Sequence, residues 1–122
     1  MANIFIVDDS PTEVHVLKSI LEKNGHTVES ADNAEAGIEQ ITAKQPDLVL
    51  MDVVMPGMNG FQATRALTKA PETENIPIII VTTKDQETDR VWGLRQGARD
   101  FLTKPVSEQK LMEKINAVLT AA

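Results

Sequence analysis

The sequence predicts an α/β fold: a doubly wound, five-stranded parallel sheet with strand order 2-1-3-4-5 and five helices. Short apolar runs alternate with amphipathic stretches along the chain, which is typical of repeated βαβ units. The hydrophobic fraction of 42% in 122 residues is sufficient for one buried core. Several apolar runs also end in a charged or hydroxyl residue. In such sheets ligands bind beyond the carboxyl ends of the strands, where strand order reverses.

Each element is predicted from its local pattern. Ser10, followed by Pro11 and Glu13, is typical of a capped helix start, and Asn24-Gly25 is typical of a helix end. Gly97 ends the fourth helix, and Ser107 is a good cap for the fifth. The predicted strands are 3–7, 27–30, 47–51, 78–81 and 100–103, and the helices between them begin near residues 10, 32 or 33, 60, 86 and 107.

The composition excludes several classes of protein. A net charge of −6 argues against a nucleic-acid-binding surface, and no run of 18 apolar residues is present to cross a membrane. Without cysteine there are no disulfides or thiolate metal sites. The N-terminus has no signal-peptide pattern. We therefore expect residues 1–122 to form one cytoplasmic, monomeric domain without an output domain.

Polar residues at four strand ends predict a single site. Asp8 and Asp9 follow the first strand, Asp52 the third, Thr82 the fourth and Lys104 the fifth. A carboxylate that closes a fully buried strand, as Asp52 does, has little structural reason to be there. Each residue taken alone has an ordinary explanation as a cap or turn. Their joint placement at one edge of the predicted sheet favours a functional cluster.

The chemistry of this cluster points to a metal ion and a phosphoryl group. Three neighbouring carboxylates repel one another unless a cation joins them. Mg²⁺ prefers such oxygen ligands, with Mn²⁺ as an alternative, whereas the absence of cysteine and of a nearby histidine disfavours zinc. A lysine and a threonine are suited to phosphate oxygens. These are the parts needed for in-line phosphoryl transfer to Asp52.

Four motifs make the chain resemble the receiver domain of two-component response regulators over nearly its whole length. This family has a flavodoxin-like, CheY-like fold. The motifs occur in the family's order and spacing, and they are Val7-Asp8-Asp9-Ser10, the stretch 50–60, Ile80-Val81-Thr82-Thr83 and Lys104-Pro105.

The resemblance implies specific roles for the clustered residues. Asp52 would accept a phosphoryl group from the phosphohistidine of a histidine kinase. Asp8 and Asp9 would hold Mg²⁺ together with Asp52 and the backbone carbonyl of Val54. Lys104 would pair with the phosphoryl group. The chain would then be a signalling switch, not an enzyme, with only self-catalysed phosphorylation and slow autodephosphorylation.

The resemblance also implies how the signal leaves the site. Thr82 would move to donate a hydrogen bond to the phosphoryl group, and Phe101 would repack inward as the readout. Partner binding would change through helix 4, strand 5 and helix 5. A cis peptide is expected between Lys104 and Pro105. The positions that would tune phosphate lifetime are Val54, Thr83 and Lys84.

A finer resemblance is to the stand-alone receivers of type IV pilus chemosensory systems. It is carried by residues 60–65 and 82–105. It implies a kinase of the chemotaxis type as phosphoryl donor, a protein of the pilus motility machinery as target, and a role in twitching motility. The sibling receiver of the same system, and a phosphate sink in place of a direct effector, remain alternatives.

Two functions of other classes also stay open at this point. A Mg²⁺-dependent aspartyl-phosphate phosphohydrolase usually has a D-x-D nucleophile motif and a substrate cap, whereas this chain has adjacent aspartates and no cap insertion. A flavodoxin-like electron carrier needs a loop for the flavin phosphate after strand 1, where Asp8-Asp9 would repel it.

Overall fold

The computed structural model describes residues 2–121, so the first and last residues of the predicted domain lie outside it. Within this range, one parallel sheet has the order β2-β1-β3-β4-β5, and the predicted fold class and strand order are confirmed. The elements are β1 (Asn3–Val7), α1 (Pro11–Lys23), β2 (Thr27–Ala31), α2 (Ala34–Lys44), β3 (Leu48–Met51), α3 (Gly60–Lys69), β4 (Ile78–Thr82), α4 (Glu87–Arg95), β5 (Asp100–Thr103) and α5 (Glu108–Thr120).

Alternation along the strands divides the core between the two faces of the sheet. Ile4 and Ile6 of β1 pack with α1 and α5, whereas Phe5 and Val7 pack with α2 and α3. This is expected of a parallel sheet, because successive side chains point to opposite faces and helices cover both. A third, smaller cluster lies under α4 and contains Val53, Ile80, Ala98, Phe101 and the partly buried Phe61.

The boundaries differ from the predictions by one or two residues, for identifiable reasons. Thr82 belongs to β4 because it pairs with Thr103 of β5. Asp47 lies before β3, and its carboxylate accepts the backbone N–H of Asn3 at 2.8 Å. Ser10 caps α1 as predicted, since its hydroxyl accepts the Glu13 N–H at 3.3 Å. These contacts hold β4 beside β5, the start of β3 beside the start of β1, and the first turn of α1 after β1.

Gly60 sets how closely α3 approaches the end of β3. Its N–H donates to the carbonyl of Val53 at 3.0 Å. A Cβ added here would lie 1.9 Å from the carbonyl oxygen of Asp52 and 2.8 Å from Cα of Val53. These atoms belong to the backbone and cannot rotate away, so the position accepts only glycine without a shift of α3 or of the loop after Asp52.

We predict that Gly60→Ala lowers the free energy of unfolding by about 3 kcal/mol, the upper range for overpacking a rigid site. The reverse exchange at an exposed position of the same helix, Ala66→Gly, serves as the control and should cost about 1 kcal/mol through helix propensity. Urea unfolding measures both. Equal losses in the two variants would contradict the backbone clash.

Candidate functional site

Three carboxylates meet at the carboxyl ends of β1 and β3. These strands are neighbours in the sheet, with Val7 opposite Met51, so the residues that follow them are brought together. One oxygen atom each from Asp8, Asp9 and Asp52 lies within 4.8 Å of the others. Asp8 and Asp52 are buried, with 3% and 7% of their surface exposed, whereas Asp9 is exposed. The cluster therefore has a buried side and a side open to solvent.

Lys104, after β5, supplies the positive charge of the site. Its Nζ donates to Oδ2 of Asp8 at 2.7 Å and lies 3.7 Å from Oδ2 of Asp52. The other oxygens face backbone groups: the Ser10 N–H donates to Oδ1 of Asp8 at 2.9 Å, and the Val53 N–H to Oδ1 of Asp52 at 2.8 Å. No buried side-chain polar atom in residues 2–121 lacks a hydrogen-bond partner.

Burial raises the pKa of Asp52 above its ordinary value of 3.8. Lys104 opposes this rise, the carboxylate of Asp8 adds to it, and the nearby Thr82 hydroxyl and the Val53 N–H again favour the charged form. Burial alone would lower the pKa of Lys104, but the hydrogen bond to Asp8 and the charges of Asp52 and Asp8 outweigh burial and raise it. Lys104 is therefore charged at neutral pH, whereas burial makes the ionised form of Asp52 less favourable and Lys104 offsets part of that cost.

The donor set fits a divalent ion that prefers oxygen. The three carboxylates contribute oxygen atoms only, which suits Mg²⁺ or Mn²⁺ and not zinc. Lys104 already offsets part of the negative charge, and a divalent cation would offset the rest. A carboxylate, a lysine and a cation-binding acid pair around one open side form a site that can receive a phosphoryl group.

The remaining predicted residues surround this centre. Thr82 is fully buried at the end of β4, and its hydroxyl accepts the Lys84 N–H at 3.4 Å. The ring of Phe101 already lies inward in this structure, with 8% of its surface exposed, and its repacking stays a prediction. The peptide bond before Pro105 is cis.

The three positions predicted to tune phosphate lifetime are exposed to solvent. Val54 is 55% exposed and shares a cleft with Lys84, and Thr83 is exposed. The roles of these side chains, and of the Val54 carbonyl as a metal ligand, stay predictions. The side chain of Lys84 is partly engaged elsewhere, since its Nζ lies 3.9 Å from Asp89.

Two features of the site were missed by the sequence reasoning. The partner nearest to Lys104 is Asp8, a contact between residues 96 positions apart that no local pattern reveals. Gly60 holds α3 against the backbone of Asp52, and here the Asn59-Gly60 pair before an amphipathic stretch was the available signal.

A model of the response regulator receiver domain matches residues 4–116. The chain belongs to the response regulator receiver family. Among curated proteins, it is 65% identical to protein PilH of Pseudomonas aeruginosa over 119 residues, which are 98% of each chain. It is also 36% identical to the response regulator PleD of Caulobacter vibrioides over 117 residues, 96% of this chain and 26% of PleD.

Solved structures agree with this membership. A putative response regulator from Chloroflexus aurantiacus superposes with a TM-score of 0.94 at 29% identity, covering 98% of both chains. The chemotaxis protein CheY4 of Vibrio cholerae superposes with a TM-score of 0.90 at 27% identity, covering 97% of this chain and 98% of CheY4.

Family membership confirms the resemblance and assigns the chain to the signalling switches. Receiver domains take phosphoryl groups from histidine kinases and bind Mg²⁺ through an acidic pocket, and the aspartate cluster has the composition of such a pocket. Membership also decides against the phosphohydrolase and electron-carrier alternatives. Among residues 2–121, no helix is long and apolar enough to cross a membrane.

We predict that Asp52→Asn raises the free energy of unfolding at pH 7 by roughly 1 kcal/mol, a common size for a single substitution. The raised pKa of Asp52 means that the folded state favours the protonated carboxyl. The protonated Asp52 therefore stabilises the fold. This contribution to the free energy of unfolding is fully present below pH 3.8 and is lost as the pH rises through the folded-state pKa. The difference in the free energy of unfolding between Asp52→Asn and the wild type should therefore shrink as the pH falls.

Urea unfolding of the wild type and of Asp52→Asn, from about pH 4 up to neutral pH, measures this difference in the free energy of unfolding. Asp32→Asn is the control, since Asp32 is exposed and lies outside the carboxylate cluster. A difference between the wild type and Asp52→Asn that stays constant with pH would contradict a raised pKa for Asp52.

Proposed function

We propose that this chain is a response regulator that accepts a phosphoryl group on Asp52 from a histidine kinase in a Mg²⁺-dependent reaction. The observation that carries the proposal is the arrangement of Asp52 beside Asp8, Asp9 and Lys104 at one edge of the sheet. Family membership supplies the reaction class. A cytoplasmic location is part of the same proposal.

The transfer needs Asp52 as an ionised nucleophile. A carboxylate oxygen attacks phosphorus, a phosphorus–oxygen bond forms, and the phosphorus–nitrogen bond breaks with its electron pair left on the histidine. Lys104 favours the charged form of Asp52 against the effect of burial, and it lies close enough to neutralise oxygens of the transferred group. Asp8, Asp9, Asp52 and the Val54 carbonyl would hold the metal ion, which lowers the negative charge that builds up during transfer.

The switch would pass through Thr82. Its hydroxyl has one long hydrogen bond, from the Lys84 N–H, and lies near the Asp52 carboxylate. A phosphoryl group on Asp52 adds acceptor oxygens, so Thr82 gains a stronger partner only in the modified state. Movement of Thr82 changes the packing of β4 beside Phe101 and α4, and partner binding would change at α4, β5 and α5.

We further propose a role in twitching motility driven by type IV pili. The support is the 65% identity to PilH over 98% of both chains. The donor would be a histidine kinase of the chemotaxis type, and the target would be a protein of the pilus motility machinery.

We predict that incubation with Mg²⁺ and acetyl phosphate adds one phosphoryl group, detected by intact mass. The adduct should be absent in Asp52→Asn and strongly reduced in Lys104→Ala, because the lysine neutralises the transferred group. Thr82→Ala should still be phosphorylated, yet should lose the shift in partner binding. An adduct of unchanged amount in Asp52→Asn would contradict the proposal.

We predict that Mg²⁺ stabilises the folded protein by about 2.7 kcal/mol at 100 times its dissociation constant, as mass action requires for a single site. Asp9→Asn should weaken this effect by removing a ligand from the cluster. Asp32→Asn, a change of equal charge at an exposed aspartate outside the cluster, is the matched control. Equal weakening in both variants would indicate non-specific charge screening and not a ligand role. Thermal melts at several Mg²⁺ concentrations give the measurement.

A further inference from the structure

Helix α4 presents large apolar side chains to solvent. Trp92 is 51% exposed and Val91 is 40% exposed, although the helix buries only Gly93. Single exposed apolar residues are common and need no explanation. Here, however, the largest side chain of the chain stands on the outer surface of a helix that has few buried contacts of its own. The residues around Trp92 indicate whether its exposed side chain forms part of a binding surface.

All four arginines of the sequence fall between residues 65 and 99, although the net charge of the chain is −6. Among residues 2–121, none of them lies within 4.0 Å of a carboxylate oxygen, and every cation in an ion pair is a lysine. Arginine is well suited to planar, bidentate pairing with carboxylates. This segment of the molecule therefore offers guanidinium groups that its own acidic residues do not engage.

Two of these arginines lie beside Trp92. Arg65 of α3 donates from Nη1 to Oε1 of Gln96 at 3.4 Å, next to the last turn of α4. Trp92 lies four residues before Gln96 and three before Arg95, and such residues are neighbours on a helix surface. The exposed side chains of Arg65, Trp92 and Arg95 thus lie around the buried Gln96 and form one surface across α3 and α4, which we call the tryptophan–arginine patch.

The backbone beneath the patch is held in place. The Thr68 hydroxyl donates to the carbonyl of Gln96 at 2.8 Å, which ties the end of α4 to α3. At Gly93 an added Cβ would lie 2.8 Å from Cδ1 of Ile80, so the helix sits directly on the sheet. Because these contacts fix both helices, a partner would meet the patch without first ordering its backbone.

We propose that the tryptophan–arginine patch is a docking surface for an acidic segment of a partner protein that also carries an apolar side chain. The guanidinium groups would pair with carboxylates of the segment, and the exposed indole would cover its apolar residue. The net charge of −6 would repel a long polyanion such as a nucleic acid, whereas a short acidic segment would meet mainly the arginines of the patch.

The patch is distinct from the surface between α4 and α5. Arg90 lies on that other side, where it lines a cleft with Lys110 and Lys114. The patch also stands on its own residues and not on the proposed chemistry at Asp52. A loss of binding at the patch and a loss of phosphorylation can therefore be measured separately.

The test uses a synthetic, tryptophan-free helical peptide with glutamates and leucines on one face. Trp92 is the only tryptophan of the chain, so its emission reports binding at the patch directly. We expect a saturable emission change with this peptide. It should be lost when the leucines are replaced by serine and when the glutamates are replaced by glutamine, since both groups take part.

Arg65→Ala and Arg95→Ala should each weaken binding roughly tenfold, the loss expected for one charge-assisted pair. Arg99→Ala is the matched control, because Arg99 is exposed but lines a cleft with Asp47 and Pro77, away from the patch. Thermal melts show whether the variants are folded, and phosphorylation by acetyl phosphate should be unchanged in all three.

Three results would overturn the proposal. One is equal weakening in Arg99→Ala, which would mean that only the net charge matters. Another is equal binding by the serine peptide, which would mean that the indole takes no part. The last is equally tight binding of a single-stranded RNA with the same arginine dependence, which would assign the patch to nucleic acid.

Discussion

The ion pair between Lys104 and Asp8 is the interaction on which the site depends. It joins the ends of β1 and β5, two strands that are separated in the sheet by β3 and β4. Without the ammonium group, Asp8 and Asp52 would be two buried carboxylates facing each other without compensation. Because Lys104 also lies 3.7 Å from Asp52, one cation faces both acids and favours the charged form of Asp52 in a place where burial favours its protonation.

The same arrangement makes the site responsive. A fully neutralised cluster would have little reason to bind a further cation or to hold an added phosphoryl group. Here one lysine faces three carboxylates, so the cluster keeps an excess of negative charge toward its open side, where Asp9 is exposed. Lys104 therefore compensates the cluster in part, and the remaining negative charge would favour the binding of a divalent cation.

Much of the fold and part of the site could be predicted from sequence, because their causes are local. Alternating apolar runs define the strands, and caps such as Ser10, Asn33 and Ser107 define where helices begin, so the predicted boundaries lie within one or two residues of the observed ones. Convergence of the acids followed from the strand order. The contact of Lys104 with Asp8 could not be predicted in this way, because it depends on the reach of a side chain past two intervening strands.

Helix α3 connects the two parts of the molecule that the proposals concern. Gly60 at its first position lies against the backbone of Asp52, and Arg65, more than one turn later, contacts Gln96 at the end of α4. The helix has ten residues and is about 15 Å long, and its backbone hydrogen bonds lie within the helix, which makes it a stiff element. A rearrangement of the loop after Asp52 would therefore shift α3 as a unit, and the tryptophan–arginine patch would change shape through the contact of Arg65 with Gln96.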